Sequence, residues 1–222
     1  MASTSTLRNS MTLGDRVPLV AATTNAAKLA SLASVVGRRH VLGPLPAAME
    51  PTEPDPVEII GIDPLVGIAM AKAVSVSLAL GGARTIASDG GLLVPGLGDR
   101  WQPARTRRFA GSGLTNRARA FALLELADGL TEHQRRIGWR EAVAIAEAGR
   151  VVATFTAEAT PGRLIEELSA DWDDDGQGFW VPRLWASDRG SSPQSNAGGD
   201  HWDRLALLVA PYLDGLAALN RP

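Results

Sequence analysis

Residues 85–94 read Thr85-Ile86-Ala87-Ser88-Asp89-Gly90-Gly91-Leu92-Leu93-Val94. A β-branched, apolar start followed by one acid and two glycines predicts a short buried strand that delivers a carboxylate onto a glycine turn. At a strand's exit the backbone approaches a ligand closely and a metal ion has room. The same Asp-Gly pair also serves as a plain turn. A second segment has a similar design: Val17-Pro18-Leu19-Val20-Ala21-Ala22-Thr23-Thr24-Asn25-Ala26-Ala27-Lys28. There an apolar strand ends in a polar Thr-Thr-Asn turn, and a lysine enters a helix.

The elements between and after these segments alternate. A helix after residue 25 puts Leu29, Leu32, Val35 and Val36 on one face. Arg39 to Leu45 suits a second strand, ended by Gly43-Pro44 and Pro46. Ala47 to Pro56 reads as a loop. Asp63-Pro64 is an N-cap acid followed by proline at the first helical position. The helix it starts runs to about Leu80, with Leu65, Ile68, Ala69, Val76 and Ala79 inward, and stops at Gly81-Gly82.

Residues 84–88 form the next strand, and Gly90 to Gly111 an irregular, arginine-rich excursion. Thr115 caps a helix with Phe121 and Leu124 inward. Arg140 to Glu147 and Arg150 to Thr160 form an antiparallel hairpin turned at Ala148-Gly149. Leu164 to Trp172 fits either strand or loop. Pro182 to Gly199 is mostly loop. His201 to Leu219 is a terminal helix kinked or broken at Pro211. Strands mixed with helices, with a late hairpin, predict an α/β fold on a mixed sheet.

Composition narrows the function classes. A chain of 222 residues buries a sizeable core in a single domain. A formal charge of -2 gives no basic field for nucleic acid. Zero cysteines exclude disulfides and thiolate metal sites. No apolar run spans a bilayer, so no membrane partner is expected. Residues 1–16 read as a disordered start without the apolar segment of a secretory signal, which points to the cytoplasm.

The two strand-to-turn segments resemble the inosine/xanthosine triphosphate pyrophosphatase family, which hydrolyses non-canonical purine nucleoside triphosphates to monophosphates. In that family a first strand ends in Thr-Gly-Asn-x-x-Lys and a later one in Asp-Asp-Ser-Gly-Leu. The counterparts are Thr23-Thr24-Asn25-Ala26-Ala27-Lys28 and Ser88-Asp89-Gly90-Gly91-Leu92. The order of landmarks agrees over roughly residues 17 to 215. The resemblance implies a long, twisted mixed sheet with flanking helices and two lobes around a central cleft, over one bilobed domain at 17–219. A homodimer is implied by the same analogy.

It also implies roles for particular residues. Thr23, Asn25 and Lys28 would hold a triphosphate at a helix N-terminus, where unpaired N–H groups and the helix dipole favour anions. Thr24 or Asn25 would equally serve as a plain cap. Ala69-Met70-Ala71-Lys72-Ala73 matches the family's Asn-Ala-x-x-Lys-Ala helix and aims Lys72 at phosphate. A family Glu-Asn pair just before it is Gly67-Ile68 in this chain, so one expected metal ligand is missing. Asp63, one turn earlier, is a partial substitute or simply the N-cap. Of two family acids at the strand exit, the first is Ser88 and the second is retained as Asp89. Asp89 is therefore the expected metal ligand and catalytic carboxylate, for Mg²⁺ or alternatively Mn²⁺.

Arg105, Arg107 and Arg108 precede Phe109-Ala110-Gly111. Arg108-Phe109 matches a family Arg-Tyr/Phe pair near the base. Gly176-Gln177-Gly178-Phe179-Trp180-Val181-Pro182 resembles the loop that encloses the purine, so Phe179 and Trp180 are candidates to stack on it. Val181 replaces an Asp that contacts the base, which predicts weak base selectivity. His201 matches a base-contacting His, with Asp200 and Trp202 as changed neighbours and Asn196 in place of a family lysine. Asp171-Trp172-Asp173-Asp174-Asp175-Gly176 mimics the start of a calcium loop, but its twelfth position is Pro182 and not the needed Glu.

The expected function is that of a divergent nucleoside triphosphate pyrophosphohydrolase, acting on a purine-type or modified nucleotide. Gly67, Ser88, Val181 and Asn196 together motivate an alternative. It is a catalytically degenerate nucleotide-binding or regulatory protein of the same fold.

Overall fold

The computed structural model of the chain describes residues 17–38, 40–111, 113–170, 172, 179–186 and 200–219. The expected disordered start at 1–16, the Gly176-Gln177-Gly178 segment, most of the acidic turn at 171–176, and Asn196 lie outside the described residues.

The first strand, β1 (Val17–Ala21), ends where the sequence turns polar, and α1 (Ala26–Val35) follows. The chain returns as β2 (His40–Gly43), parallel to β1. After a loop, α2 (Pro64–Ala79) crosses back and leads into β3 (Thr85–Leu93), parallel to β1 on its other side. Two short 3-10 segments, Pro95–Arg100 and Pro103–Arg108, precede α3 (Asn116–Leu126).

Then β4 (Arg136–Glu147) runs antiparallel to β3, and β5 (Arg150–Glu158) folds back on β4. The connecting Ala148 and Gly149 both have positive φ, 51° and 71°. Such a turn matches the twist of the two strands, and glycine takes the second position without strain. Short strands β6 (Gly162–Leu164) and β7 (Trp185–Ala186) extend the sheet from the first residues of β4. The last helix, α4 (His201–Leu219), continues through Pro211, so of the two expected outcomes, a kink or a break, the break does not occur. The result is a seven-stranded mixed sheet in the order β2-β1-β3-β4-β6-β7, with β5 beside β4.

Alternation along β4 explains the layering. Val143 and Ile145 face α1 and α4, where they meet Leu32, Val35, Leu205, Val209 and Leu213. Ala142, Ala144 and Ala146 face the other way, against Leu65, Ala69, Ala73 and Val76 of α2. Small side chains on that face let the helix lie close to the sheet. A third apolar cluster gathers the far end of β3 (Leu92), Trp101, α3 (Leu123, Leu124), Ile137, Trp180 and Trp185. Asp89, Gly90 and Gly91 lie on β3 between the clusters containing Ile86 and Ala87 and the cluster containing Leu92.

Two inward assignments fail. Ala79 is exposed at the end of α2, and Phe121 is 49% exposed on α3, where Ala120, Leu123 and Leu124 face inward instead. Among the described residues no helix is long and apolar enough to cross a membrane.

Candidate active site

The strand-exit expectation for Asp89 needs correction. Asp89, Gly90 and Gly91 do not turn. They pair in register with Ala142, Glu141 and Arg140, and β3 continues to Leu93. The glycines serve a different need. A Cβ on Gly91 would collide with the backbone carbonyl of Pro103, and a Cβ on Gly90 would overlap the Glu141 carboxylate. They permit close approach across the strand, with no positive φ involved.

The exposed side of β3 at this point arises from strand lengths. β1 pairs with β3 only through Val20 and Ala21, opposite Thr85 and Ile86, and its last ladder-like bond is Ala22 N–H to the Ile86 carbonyl. Beyond it the β3 edge has no neighbouring strand among the described residues. Lys28 fills the gap. One turn into α1, it donates from Nζ to the Ser88 carbonyl at 3.3 Å. The same ammonium stands 3.3 Å from Glu141 Oε1 and 3.8 Å from Asp89 Oδ1.

Lys72 arrives from the opposite layer. Its position on the sheet-facing side of α2 lets Nζ donate to Asp89 Oδ1 at 2.8 Å. It also pairs with Glu53 Oε2 at 3.1 Å, and Glu53 in turn accepts from Arg108. Three cations (Lys28, Lys72, Arg108) and three carboxylates (Glu53, Asp89, Glu141) thus form one connected cluster. Burial pushes the Asp89 carboxyl up from its usual range, with Glu141 adding to the rise, and the two lysines oppose it. A partly neutralised, desolvated carboxylate between two lysines suits phosphoryl chemistry, where anionic charge must be gathered and screened.

The first turn combines two roles. Asn25 caps α1, with Oδ1 accepting from the N–H groups of Ala27 (2.9 Å) and Lys28 (3.4 Å). Thr23 Oγ1 accepts from the Asn25 N–H at 3.1 Å. These bonds fix the turn that aims Lys28. A cavity of about 300 Å³ opens beside it, lined by Thr23, Thr24, Asn25 and Leu29 and closed on the far side by residues 44–49. A larger depression of about 620 Å³ lies against α3, but Glu125, Asp128, Glu166 and Glu167 line it and would repel a polyphosphate.

The aromatic residues part company. Phe179 is 41% exposed and meets Trp139 edge-on at 5.4 Å, and His201 lies 6.3 Å from the same indole. Trp139 therefore joins the expected base residues to the carboxylates, since its Nε1 donates to Glu141 Oε2 at 3.0 Å. Trp180 is 2% exposed and belongs to the third apolar cluster. Buried there, it offers no ring face to a base, contrary to the stacking expectation. Val181 is buried beside it. Arg108, expected at the base, instead shares Glu53 with Lys72.

Asp63 is the N-cap, accepting from the Leu65 N–H at 2.8 Å and pairing with Arg140. At the position of the missing glutamate, a Cβ on Gly67 would come within 2.5 Å of Ile59 Cγ2, so any side chain there requires Ile59 to shift.

A profile of the Ham1 family matches residues 19–179. The chain belongs to the Ham1 family.

Solved Ham1-type structures share the fold over almost their whole length. A Ham1 protein from Coxiella burnetii superposes with a TM-score of 0.63 at 17% identity, covering 91% of this chain and 98% of that one. A nucleoside-triphosphatase, a dITP/XTP pyrophosphatase from Mycobacterium abscessus, gives 0.62 at 20% identity, covering 93% and 100%. The Staphylococcus aureus Ham1 protein gives 0.65 at 18%, covering 89% and 98%. Among curated proteins none matches the chain at a significant level.

Of the residues in this cluster, Lys28, Lys72, Arg108 and Asp89 stand in the sequence motifs, whereas Glu53, Trp139 and Glu141 stand in none. The one sequence signal for Glu141 is a lone acid opening the apolar run Ala142-Val143-Ala144-Ile145-Ala146. Nothing in spacing says that this acid faces Gly90.

Proposed function

We propose that this Ham1-family chain is a divergent nucleoside triphosphate pyrophosphohydrolase, releasing pyrophosphate and a monophosphate from a purine-type or modified nucleotide. The observation that carries the reading is the convergence of Lys28 and Lys72, from two different helices, on the single carboxylate of Asp89. Family membership supports the general activity.

In this reading Lys28, Lys72 and the N-terminal turn with Thr23 and Asn25 hold the phosphates. The triphosphate takes the place of Glu53 on Lys72 and Arg108, since it carries more charge than one carboxylate. Phe179 and His201, backed by Trp139, border the base. A water attacks a phosphorus of the bridge between the first two phosphates, and the bond to the departing pyrophosphate oxygen breaks. The lysines neutralise the charge that gathers on that oxygen.

Asp89 fits a divalent ion. Magnesium needs only one or two carboxylates beside phosphates and keeps several waters. Mg²⁺, or Mn²⁺, would supply charge neutralisation and a more acidic bound water at Asp89. By family analogy the protein works as a homodimer with a nucleotide as its partner; the cytoplasm is the setting that the sequence reading favours.

A second reading is a nucleotide-binding protein without catalysis. Gly67, packed against Ile59, and the buried Val181 favour it, because neither a glutamate nor a base-contacting acid has a counterpart there. A panel of nucleoside triphosphates with Mg²⁺ and Mn²⁺, assayed for pyrophosphate release, separates the two. Metal-dependent release from at least one nucleotide is the expected result. Calorimetric binding with no release from any of them supports the second reading.

A further inference from the structure

We propose that Glu141 is the second carboxylate of the catalytic centre, forming with Asp89 a divalent-cation site that spans β3. This deepens the hydrolase reading and rests on it only for the identity of the site.

Three independent observations support it. First, Glu141 is 1% exposed, yet its Oε1 accepts no hydrogen bond. Oε2 is satisfied by Trp139, which also fixes the direction of the side chain. That first oxygen, Oε1, is left with a 3.3 Å ion pair to Lys28 and no hydrogen bond, so this buried carboxylate keeps acceptor capacity for a further ligand.

Second, the route of the side chain is prepared. Glu141 sits opposite Gly90 on the neighbouring strand, and any Cβ at 90 would overlap its carboxylate. The absence of a side chain lets Glu141 lie across β3 and reach the far edge, where Lys28 holds both acids within ion-pairing distance.

Third, the gain matches a loss. The strand motif has Ser88 where a first acid was expected, and the Ser88 hydroxyl is buried and accepts no partner. Glu141 returns a negative charge to the same neighbourhood from β4. Among the described residues no three His, Cys, Asp or Glu side chains converge to hold an ion. An ion held there has Asp89 and Glu141 as its carboxylates, and water and phosphate oxygens complete its shell, an arrangement that a hard divalent cation accepts.

The test measures binding directly. Mn²⁺ is titrated into the purified protein and free ion is followed by electron paramagnetic resonance, with and without a non-hydrolysable triphosphate analogue. The parent should bind one ion. Glu141→Gln should weaken it by at least about tenfold, as Asp89→Asn should, because ligand charge sets affinity at such sites. Should Glu141→Gln fail to fold, Glu141→Asp keeps the charge, withdraws the oxygens from the far edge of β3, and should weaken Mn²⁺ similarly. Parent-like Mn²⁺ affinity in whichever of these variants folds overturns the proposal, as does a parent that binds no Mn²⁺ under either condition. Mn²⁺ binding that depends on Glu141 in a protein that hydrolyses no triphosphate would keep this site and remove the hydrolase reading.

Discussion

Glu141 lies across the backbone of Gly90, its rung partner on β3, and meets Lys28 at the opposite edge of that strand. A methyl group on Gly90 would overlap the carboxylate and come within 2.9 Å of the Trp139 ring. Gly90→Ala should therefore displace Glu141 and cost about 1–3 kcal/mol, a fall of several degrees in melting temperature. Calorimetric melting together with pyrophosphate release checks this. Parent-like melting and turnover would show that Glu141 is free to move without consequence.

Lys28→Ala removes the ammonium that bridges Ser88, Asp89 and Glu141. Triphosphate binding should weaken far more than nucleoside binding, since only the former places phosphate at the first turn. Isothermal titration with both ligands decides the matter, and equal triphosphate affinity in variant and parent would remove this turn from the site.

Asp89→Asn keeps shape and removes charge. Turnover should fall by at least about a hundredfold, as expected for loss of a principal electrostatic group. The fold should survive, because burial already disfavours the ionised form of Asp89. Undiminished Mg²⁺-dependent turnover in the variant would end the catalytic assignment.

Phe179 and Trp180 are neighbours with opposite expected phenotypes. Trp180→Ala should cost about 3–5 kcal/mol, since the indole is part of the third apolar cluster. Phe179→Ala should leave melting nearly unchanged and weaken nucleotide binding, because its ring is part-exposed beside Trp139. With Val181 turned into the core, inosine, guanosine and adenosine triphosphates should compete within about a hundredfold of one another. A steeper preference for inosine triphosphate would contradict this.

Asp200 gives a pH signature. Burial by itself raises its carboxyl, but hydrogen bonds from Thr160 and the charge of Arg204 together carry it below the usual range. A depressed folded value means that its stabilisation is present above the unfolded value of 3.8 and is lost as pH falls through the lower folded value. Asp200→Asn should lose about 1 kcal/mol near neutrality, as two part-exposed hydrogen bonds suggest. It should also flatten the stability curve below about pH 4 relative to the parent. Identical acid limbs in denaturant melts at pH 2–5 would show that the Thr160 contact does not tie α4 to the sheet.

Local patterning alone determined much of this chain. Asp63-Pro64 and Thr115 mark helix starts because capping is settled within three or four residues. Ala148-Gly149 marks the hairpin because a two-residue turn needs positive φ. Lys28, Lys72 and Asp89 were legible because each stands at a recognisable offset from its own strand end or helix face.

Tertiary structure decided the rest. Asp89-Gly90-Gly91 has the letters of a turn, yet it continues as strand because β4 offers a full ladder opposite it. Trp180 and Phe179 are adjacent in sequence, and only packing sends one into the core and the other toward solvent. Glu141 is fifty-one positions from Gly90, so their meeting depends on the register of β3 against β4, fixed by which faces bury Ile86 with Val143 and Ile145, and Ala87 with Ala142 and Ala144. That register is a property of the whole sheet, and no short window of sequence contains it.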